Sequence, residues 1–504
     1  MPPPRKSPMA RRREVLIPLA MLLVAIGLRL WQLGAKSLWL DEATSWVFGR
    51  MSLAHILTNG QETNPPLYYA ILHGWMAVFG SSEVSLRVPS VVCGVLAVAL
   101  IGWVGALIGG RRVAYVAMGL MALMPMPVEY SQMARTYTLF LAASLASWGC
   151  LLSWESSRRS RWVAGYVVAT VVMAYAHYYW VFVFAAQQAY MGWGVLTRRV
   201  PLGAWLGLSA AVMAAYLPWL VIAVTQTVHS QAAGLFVARP GAADLVEAIS
   251  TQVAFHGAPV YVGFSLLLAA FGLLAGTIGK TASASDRPVL AQSVRATTGV
   301  LLLWWVCLVV LPFLVSRVGP AIFRARYAIA AIPALYLLIA RGILIIPARI
   351  LRAVAVAVLL CGSMIGLNQY YASEHEDWRA LTADVEQRVR PSDTIIVAST
   401  RPDPFAYYYR GRIPFAVPFD VLPPSRDTNR SAMMQLRQRI QQLAQGHGRV
   451  WVVCRLAFHR DYKPVIMEAI LDQQPNAQLI YQREFPHDLA IYGFELAPAQ
   501  GVHG

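Results

Sequence analysis

The sequence predicts an α-helical polytopic membrane protein of about eleven transmembrane helices with a small C-terminal extracytoplasmic α/β domain. Three observations predict it. The 504 residues are 57% hydrophobic and only 13% charged, about half the charged fraction of a soluble globular chain. Apolar runs long enough to cross a bilayer recur through the first three quarters of the chain. Beyond residue 369 the composition turns polar, and short strand-like and helix-like stretches alternate. The expected domains are therefore 1–369 and 370–504.

The chain opens on a basic stretch followed by an apolar one. That apolar run is long and no small-residue cleavage site follows it, so 15–34 is expected to be an uncleaved first helix. Further spans are expected at 87–109, 112–128, 136–154, 161–177, 179–196, 203–223, 258–279, 297–315, 324–341 and 350–368. Basic loops set the orientation. Arg111 and Arg112, then Arg158, Arg159 and Arg161, then Arg198 and Arg199 all fall on the side of the basic N-terminus. The 280–295 loop and the segment with Arg341, Arg349 and Arg352 follow them. This agreement holds only if the apolar stretch 64–80 is not a span. It is short, opens near Pro65 and Pro66, carries His73 and Trp75, and is expected to lie along the outer interface. The N-terminus is then cytoplasmic. The segments 35–86, 129–135, 177–179, 224–257 and 316–324, with everything after 369, lie outside.

A formal charge of +17 could suggest nucleic acid, but the basic residues form no single patch or stripe. Small clusters between apolar runs encode topology instead. Cys93, Cys150, Cys307 and Cys361 lie in apolar runs and only Cys454 lies in the tail, which excludes a disulfide framework and metal-type cysteine spacing. In the tail, 393–399, 449–454 and 477–484 are expected as strands, with helices at 431–445 and 464–474. The tail has no Gly-rich phosphate loop, GxSxG or HExxH motif, so by itself it names no chemistry.

Polar and charged groups collect at the outer ends of the spans. Asp41 and Glu42 follow the first span, Asn64 precedes the two prolines, and Arg87 opens the second span. Glu129, Arg135 and Tyr137 fall in the next outer turn, His177 and Tyr178 in another, and Arg324, Arg326 and Tyr327 in a fourth. Charges held at a membrane are costly and tend to be functional. This inventory suits a sugar carried on a lipid phosphate. A carboxylate can take the proton of an acceptor hydroxyl, and guanidinium groups match phosphate geometry. Plainer roles compete: helix capping for Asp41, Glu42 and Glu129, snorkelling for Arg87, and an interfacial aromatic belt for His177 and Tyr178. A transporter or flippase would place polar groups at mid-membrane and show internal repeats; few mid-span charges and no repeat are present. A non-catalytic assembly factor remains open.

Asp41-Glu42, Pro65-Pro66-Leu67-Tyr68-Tyr69, Leu86-Arg87-Val88-Pro89-Ser90 and Gln132-Met133-Ala134-Arg135-Thr136-Tyr137 occur in an order that resembles the GT-C glycosyltransferase superfamily. The branch resembled contains protein O-mannosyltransferases and bacterial aminoarabinose transferases. Arg326-Tyr327 with the following 332–342, then Asp377-Trp378-Arg379, extend the resemblance to about residue 385. It implies transfer, generally with inversion, of a sugar from a polyprenyl-phosphate donor to an extracytoplasmic protein, lipid or glycan. It implies Asp41 as general base or acceptor-orienting carboxylate, Glu42 paired with Arg87, and Arg326 with Arg324 or Arg135 on the donor phosphate. Relatives often carry His or Lys where Asn64 stands, which leaves that work to an arginine. With arginines neutralising the phosphate no metal is required; a divalent cation would otherwise draw on Asp41, Glu42 and Glu129. The implied setting is a bacterial inner membrane, with membrane lipid and no nucleic acid as partners. The sequence names neither the sugar, the acceptor nor the oligomeric state.

Overall fold

The structure, a computed structural model, describes residues 8–58, 64–232, 239–255, 258–278, 294–399, 401–418, 430–444, 448–455, 470, 477–487 and 489–496. Helices come first: α1 (Pro8–Leu30), α2 (Leu40–Gly49), α3 (Leu53–Thr58), α4 (Leu67–Phe79), α5 (Glu83–Leu123) and α6 (Pro125–Ser131). Then follow α7 (Tyr137–Ser157), α8 (Ser160–Ala176), α9 (Trp180–Leu196), α10 (Leu202–Ala232), α11 (Ala242–Ser250) and α12 (Pro259–Ile278). Next come α13 (Val294–Val318), a 3-10 helix (Ala325–Ala331), α14 (Ile332–Ile345) and α15 (Arg349–Ala372). The last helices are α16 (Trp378–Arg388), α17 (Asp403–Tyr408) and α18 (Arg430–Ala444).

The chain divides into two compact units. The first comprises Met1–Leu33, Met51–Ala232 and Phe236–Ala372. The expected spans fall largely on helix within it, though not as eleven separate spanning helices. Among the described residues six helical segments are long and apolar enough to cross a membrane, and the chain is a multi-pass membrane protein. Two of them, α7 and the segment Ala325–Ile345, are 89% buried inside the unit. By contrast α10 and α15 are only 28% buried, and expose Leu206, Leu217, Val221, Val354 and Ile365 as lipid-facing helices do. The stretch at 64–80 forms the 13-residue α4, too short to span.

Local chemistry explains where the helices break. The expected spans 87–109 and 112–128 lie largely on one element, α5, which turns sharply at Gly110 with φ +78°, a conformation glycine adopts at little cost. Pro125 starts α6, because proline fits a first helical turn and not a helix interior. The expected span 324–341 begins instead as the 3-10 helix; α14 starts just beyond, with Pro333 in its first turn. Arg341, expected among solvated loop arginines, is 6% exposed inside the last turns of α14.

Lipid supplies no hydrophobic drive for helices to associate, so close backbone approach and interhelical hydrogen bonds take its place. Tyr166 donates to Gln187 (3.2 Å) and Gln187 to Ser147 (2.8 Å), while Ser147 and Thr170 share a hydrogen bond of 2.8 Å, joining α7, α8 and α9. The tightest contact joins α12 to α14. A Cβ on Gly272 would overlap the Leu338 carbonyl oxygen, and one on Gly342 the Leu268 carbonyl oxygen.

The second unit comprises Gly34–Arg50, Ala233–Leu235 and Ser373–Gly504. Its strands are β1 (Thr394–Ala398), β2 (Phe415–Ala416), β3 (Arg449–Arg455), β4 (Gln478–Phe485) and β5 (Leu489–Glu495). They form one sheet in the order β2-β1-β3-β5-β4, parallel at β1–β2 and β1–β3 and antiparallel at β3–β5 and β5–β4. The three expected strands and the 431–445 helix are present; the helix expected at 464–474 lies outside the described residues. The beginning of the long first loop packs within this unit. Trp46 meets Tyr407 edge to face at 5.1 Å, Thr44 donates to Asp403 (2.8 Å), and the Leu38 amide donates to the Tyr408 hydroxyl (2.7 Å). A buried ion pair, Arg455 Nε to Glu376 Oε1 at 2.7 Å, is completed by the Trp378 indole donating to Glu376 Oε2 at 2.8 Å.

The glycine clasp predicts that Gly342→Ala lowers the melting temperature, because overpacking costs about 1–3 kcal/mol. Gly263→Ala on α12, where an added Cβ meets nothing within 4 Å, is the matched control. Thermal unfolding of both variants in one detergent decides it, and equal melting points would show that the helices part freely.

Candidate active site

The site is built outward from one turn. Between α6 and α7 the chain runs through Gln132 to Thr136, and Gln132, Arg135 and Thr136 are each tied to another element. Gln132 Nε2 donates to the carbonyls of Arg29 (3.0 Å) and Trp31 (2.7 Å), and its Oε1 accepts from Tyr370 at 2.9 Å. The Ser90 hydroxyl donates to the Arg135 carbonyl (3.0 Å), Thr138 to the Ser90 carbonyl (2.9 Å), and Thr136 to Ala176 O at the end of α8 (2.7 Å). The backbone at Arg135 is thereby fixed against α1, α5, α8 and α15.

Arg29 supports this turn from below. Fully buried, its guanidinium donates to Ser131 Oγ (3.0 Å) and to the carbonyls of Met121 (2.9 Å) and Ala122 (3.3 Å). Those carbonyls end α5, where orphan acceptors and the negative end of the helix dipole welcome a cation. Nothing in the sequence marked Arg29. A single arginine near the end of an apolar run suggests snorkelling, and only its partners on α5 and α6 reveal the tie.

Arg135 is 5% exposed, and its Nη1 donates to the Tyr69 hydroxyl at 3.3 Å. Tyr68 shares a hydrogen bond of 2.8 Å with Ser90. Tyr137 lies 5.9 Å from the His177 ring and 6.4 Å from Tyr327, centroid to centroid. His177 occupies the turn between α8 and α9, outside both helices. Tyr327 closes on it edge to face at 4.9 Å, and Phe140 stacks on it at 5.0 Å. Arg326 extends over Tyr327 at 5.6 Å, and both residues are half-buried. The loop bearing them is held where Ser316 Oγ accepts from the amides of Ile322 (3.0 Å) and Phe323 (2.9 Å). Tyr179 also donates to the Ile322 carbonyl at 3.0 Å.

Two cations bear on one imidazole here. Burial first, then the positive charges of Arg135 and Arg326, push the His177 pKa down to about 3. Burial, then the Glu129 carboxylate and Tyr137, push the Tyr130 phenol up, with Arg326 pulling the other way. Arg135, Arg326, Tyr137, His177 and Tyr327 thus form one aromatic-walled cationic cluster, with Glu129 at its margin. Guanidinium groups in such a setting can hold a phosphate.

The other expected residues are placed as follows. Arg87 is buried on α5 and donates to the Leu33 carbonyl at 2.7 Å. Asn64 is buried just ahead of α4. Tyr178 donates to Gln226 and accepts from the Trp219 indole at 3.2 Å, as a packing residue does. Arg324 is exposed, and its carbonyl accepts from the Tyr327 amide at 3.0 Å. Asp41 and Glu42 open α2 in the second unit, in the first turn where the helix end favours negative charge. Glu42 is 1% exposed and Asp41 half-buried. Among the described residues no three His, Cys, Asp or Glu side chains group as a metal site.

The family model described as dolichyl-phosphate-mannose-protein mannosyltransferase matches residues 63–225, the stretch that carries Arg87, Arg135 and His177. The same fold is seen in the Archaeoglobus fulgidus oligosaccharyltransferase in its apo form, at 12% identity and TM-score 0.59, over 92% of this chain and 72% of that one. AglB of the same organism, solved with an inhibitory peptide and a dolichol-phosphate, matches at 12% identity and TM-score 0.58, over 96% and 74%. ArnT from Cupriavidus metallidurans in the apo state matches at 12% identity and TM-score 0.46, over 94% and 97%. No curated protein sequence matches. The cationic cluster is the candidate active site of the first unit.

A depressed histidine pKa has a definite sign in stability. The folded state keeps His177 neutral down to about pH 3, whereas the unfolded chain takes up its proton near 6.5. Stability is therefore full above about pH 6.5 and is lost as pH falls toward 3, where the unfolded chain binds more protons. Melting temperature measured from pH 7 to pH 4 should fall less steeply for His177→Gln than for the wild type; parallel curves would mean that the wild-type ring is protonated in the fold.

Proposed function

We propose that this glycosyltransferase moves a sugar from a polyprenyl-phosphate donor to an extracytoplasmic acceptor in a single inverting displacement. The observation that carries the proposal is the cluster in which Arg135 and Arg326 converge on His177 between tyrosine rings. Two guanidinium groups acting on one aromatic-walled place favour an anion there, and a lipid phosphate is an anion of suitable chemistry. The matching family is described by a dolichyl-phosphate sugar, and the archaeal AglB was solved with a dolichol-phosphate. Both support a donor of this chemistry.

In the proposed reaction an acceptor hydroxyl oxygen attacks the anomeric carbon. The bond from that carbon to the phosphate oxygen breaks, and its electron pair stays on the polyprenyl phosphate. The hydroxyl proton passes to a carboxylate; the resemblance assigns that part to Asp41 and supporting parts to Glu42 and Arg87. Arg135 and Arg326 hold the phosphate as charge builds on the leaving oxygen, with Arg324 at the exposed rim. Tyr137 and Tyr327 offer faces to sugar and prenyl chain, Glu129 borders the cluster, and Tyr178 and Asn64 are assigned supporting places on the resemblance. The proposed setting is a bacterial inner membrane, N-terminus inside and C-terminal domain outside, with a protein, lipid or glycan as acceptor.

Transfer from labelled polyprenyl-phosphate sugars in membranes tests this. Wild-type membranes should transfer one of the mannose, glucose, arabinose or aminoarabinose donors. Asp41→Asn should lose about 10²–10⁴-fold in rate, the range a general base contributes, while accumulating normally. Arg135→Gln should raise KM for the donor. No transfer with any donor, from protein that is inserted and folded, would sink the proposal. With guanidinium groups carrying the neutralisation, EDTA should leave the rate unchanged; loss of transfer restored by manganese would assign a share of the phosphate to a divalent cation.

A further inference from the structure

His177 has an unusual hydrogen-bonding state. The backbone amide of Tyr179 donates to its Nδ1 at 3.1 Å. An accepting Nδ1 carries no proton, so in the neutral ring the proton sits on Nε2. Nε2 is buried and meets no hydrogen-bond partner among the described residues. The ring has little freedom to turn away: Phe140 stacks on one face, and Tyr327, Tyr179 and Tyr137 surround it at 4.9, 5.7 and 5.9 Å. A buried donor facing no acceptor pays its desolvation in full, and such a group in a native protein calls for an explanation.

The surroundings supply one. The positive charges of Arg135 and Arg326 both act on this ring, so an anion that accepted from Nε2–H would be favoured by both. The same two charges, with burial, keep the imidazole neutral. It can therefore add a hydrogen-bond donor without a third repelling cation. A neutral sugar hydroxyl would draw nothing from the two guanidinium groups, whereas a phosphate oxygen draws on both.

We propose that His177 Nε2–H is a direct ligand of the donor phosphate, donating to a non-bridging oxygen held between Arg135 and Arg326. The ligand class is a polyprenyl monophosphate, with or without its sugar, and the proposal rests on the lipid-phosphate reading above. His177 acts as a binding residue with a fixed tautomer and exchanges no proton with substrate.

Binding of undecaprenyl phosphate to the purified full chain in nanodiscs tests it, read as ligand-induced thermal shift and as Kd. His177→Phe keeps a ring between Phe140 and Tyr327 and removes the donor. His177→Gln returns an amide N–H close to the Nε2 position. The expected result is about 10–100-fold weaker binding for Phe, the range for a hydrogen bond to a charged group. Ligand-free melting should fall for Phe, which also leaves the Tyr179 amide without its acceptor, and Gln should recover most of the affinity. A purely structural histidine would lower the ligand-free melting point and leave Kd alone, which would overturn the proposal. So would equal binding by Phe and wild type. Should Phe fail to accumulate, His177→Asn, whose amide stops near the Nδ1 position, replaces it; Asn and Gln binding equally would overturn the assignment. Wild-type protein that binds no undecaprenyl phosphate would overturn the lipid-phosphate reading itself, so the two failures are distinguishable.

Discussion

The geometry of the cationic cluster depends on a buried arginine that is not part of it. Arg29 ends α1 with its guanidinium against the last carbonyls of α5 and the Ser131 hydroxyl. A charge removed from water this completely is tolerable only where its donors are matched. The end of the helix that follows the Gly110 turn of α5 supplies acceptors and a negative dipole end together. Because Ser131 and Gln132 are held to the same end of α1, the turn that follows has little freedom. Arg135 is presented from an anchored backbone, as a site that discriminates by position requires.

The same economy recurs around the cluster. Thr136 ties the Arg135 turn to the last carbonyl of α8, and the next residue of the chain is His177. Tyr179 fixes the loop ahead of Arg326 through Ile322. Three turns, far apart in sequence, are therefore joined by hydrogen bonds from side chains that contact no substrate in the proposed reaction. In lipid, where helices gain nothing from hydrophobic association, such bonds carry a larger share of the specification than in a soluble protein.

Much of this was legible in the sequence, for physical reasons. Length and apolarity place helices, because backbone groups in lipid must be satisfied within the segment. The basic clusters ruled out 64–80 as a span, and α4 is indeed too short. Pro125 and Pro333 mark helix starts that a hydropathy pattern blurs. The Arg135, Tyr137, His177, Arg326 and Tyr327 grouping could be anticipated because costly polar residues collected at helix ends. What escaped notice was long-range pairing. Arg29 carries no mark in the sequence, Arg341 sits among loop arginines, and the tautomer of His177 depends on one amide two residues on. Strand β5 escaped as well: it lies between β3 and β4 in the sheet and is buried along almost its whole length, so it lacks the alternation that announces an exposed strand. The packing of the Gly34–Arg50 segment with the tail rests on contacts such as Trp46 with Tyr407, which no local pattern encodes.

The contact of α12 with α14 bears on biogenesis. Backbone meets backbone there through Gly272 and Gly342, across an intervening α13 that must be in place first. Spanning helices insert one by one and associate afterwards, so this closure waits until residues near 345 have entered the membrane. The 3-10 helix with Arg326 and Tyr327 leads directly into α14. Its position is settled only at that late stage, long after Arg135 and His177 have emerged. A nascent or truncated chain ending before α14 would carry all of the cluster's residues without the helix contact that settles the position of Arg326 and Tyr327.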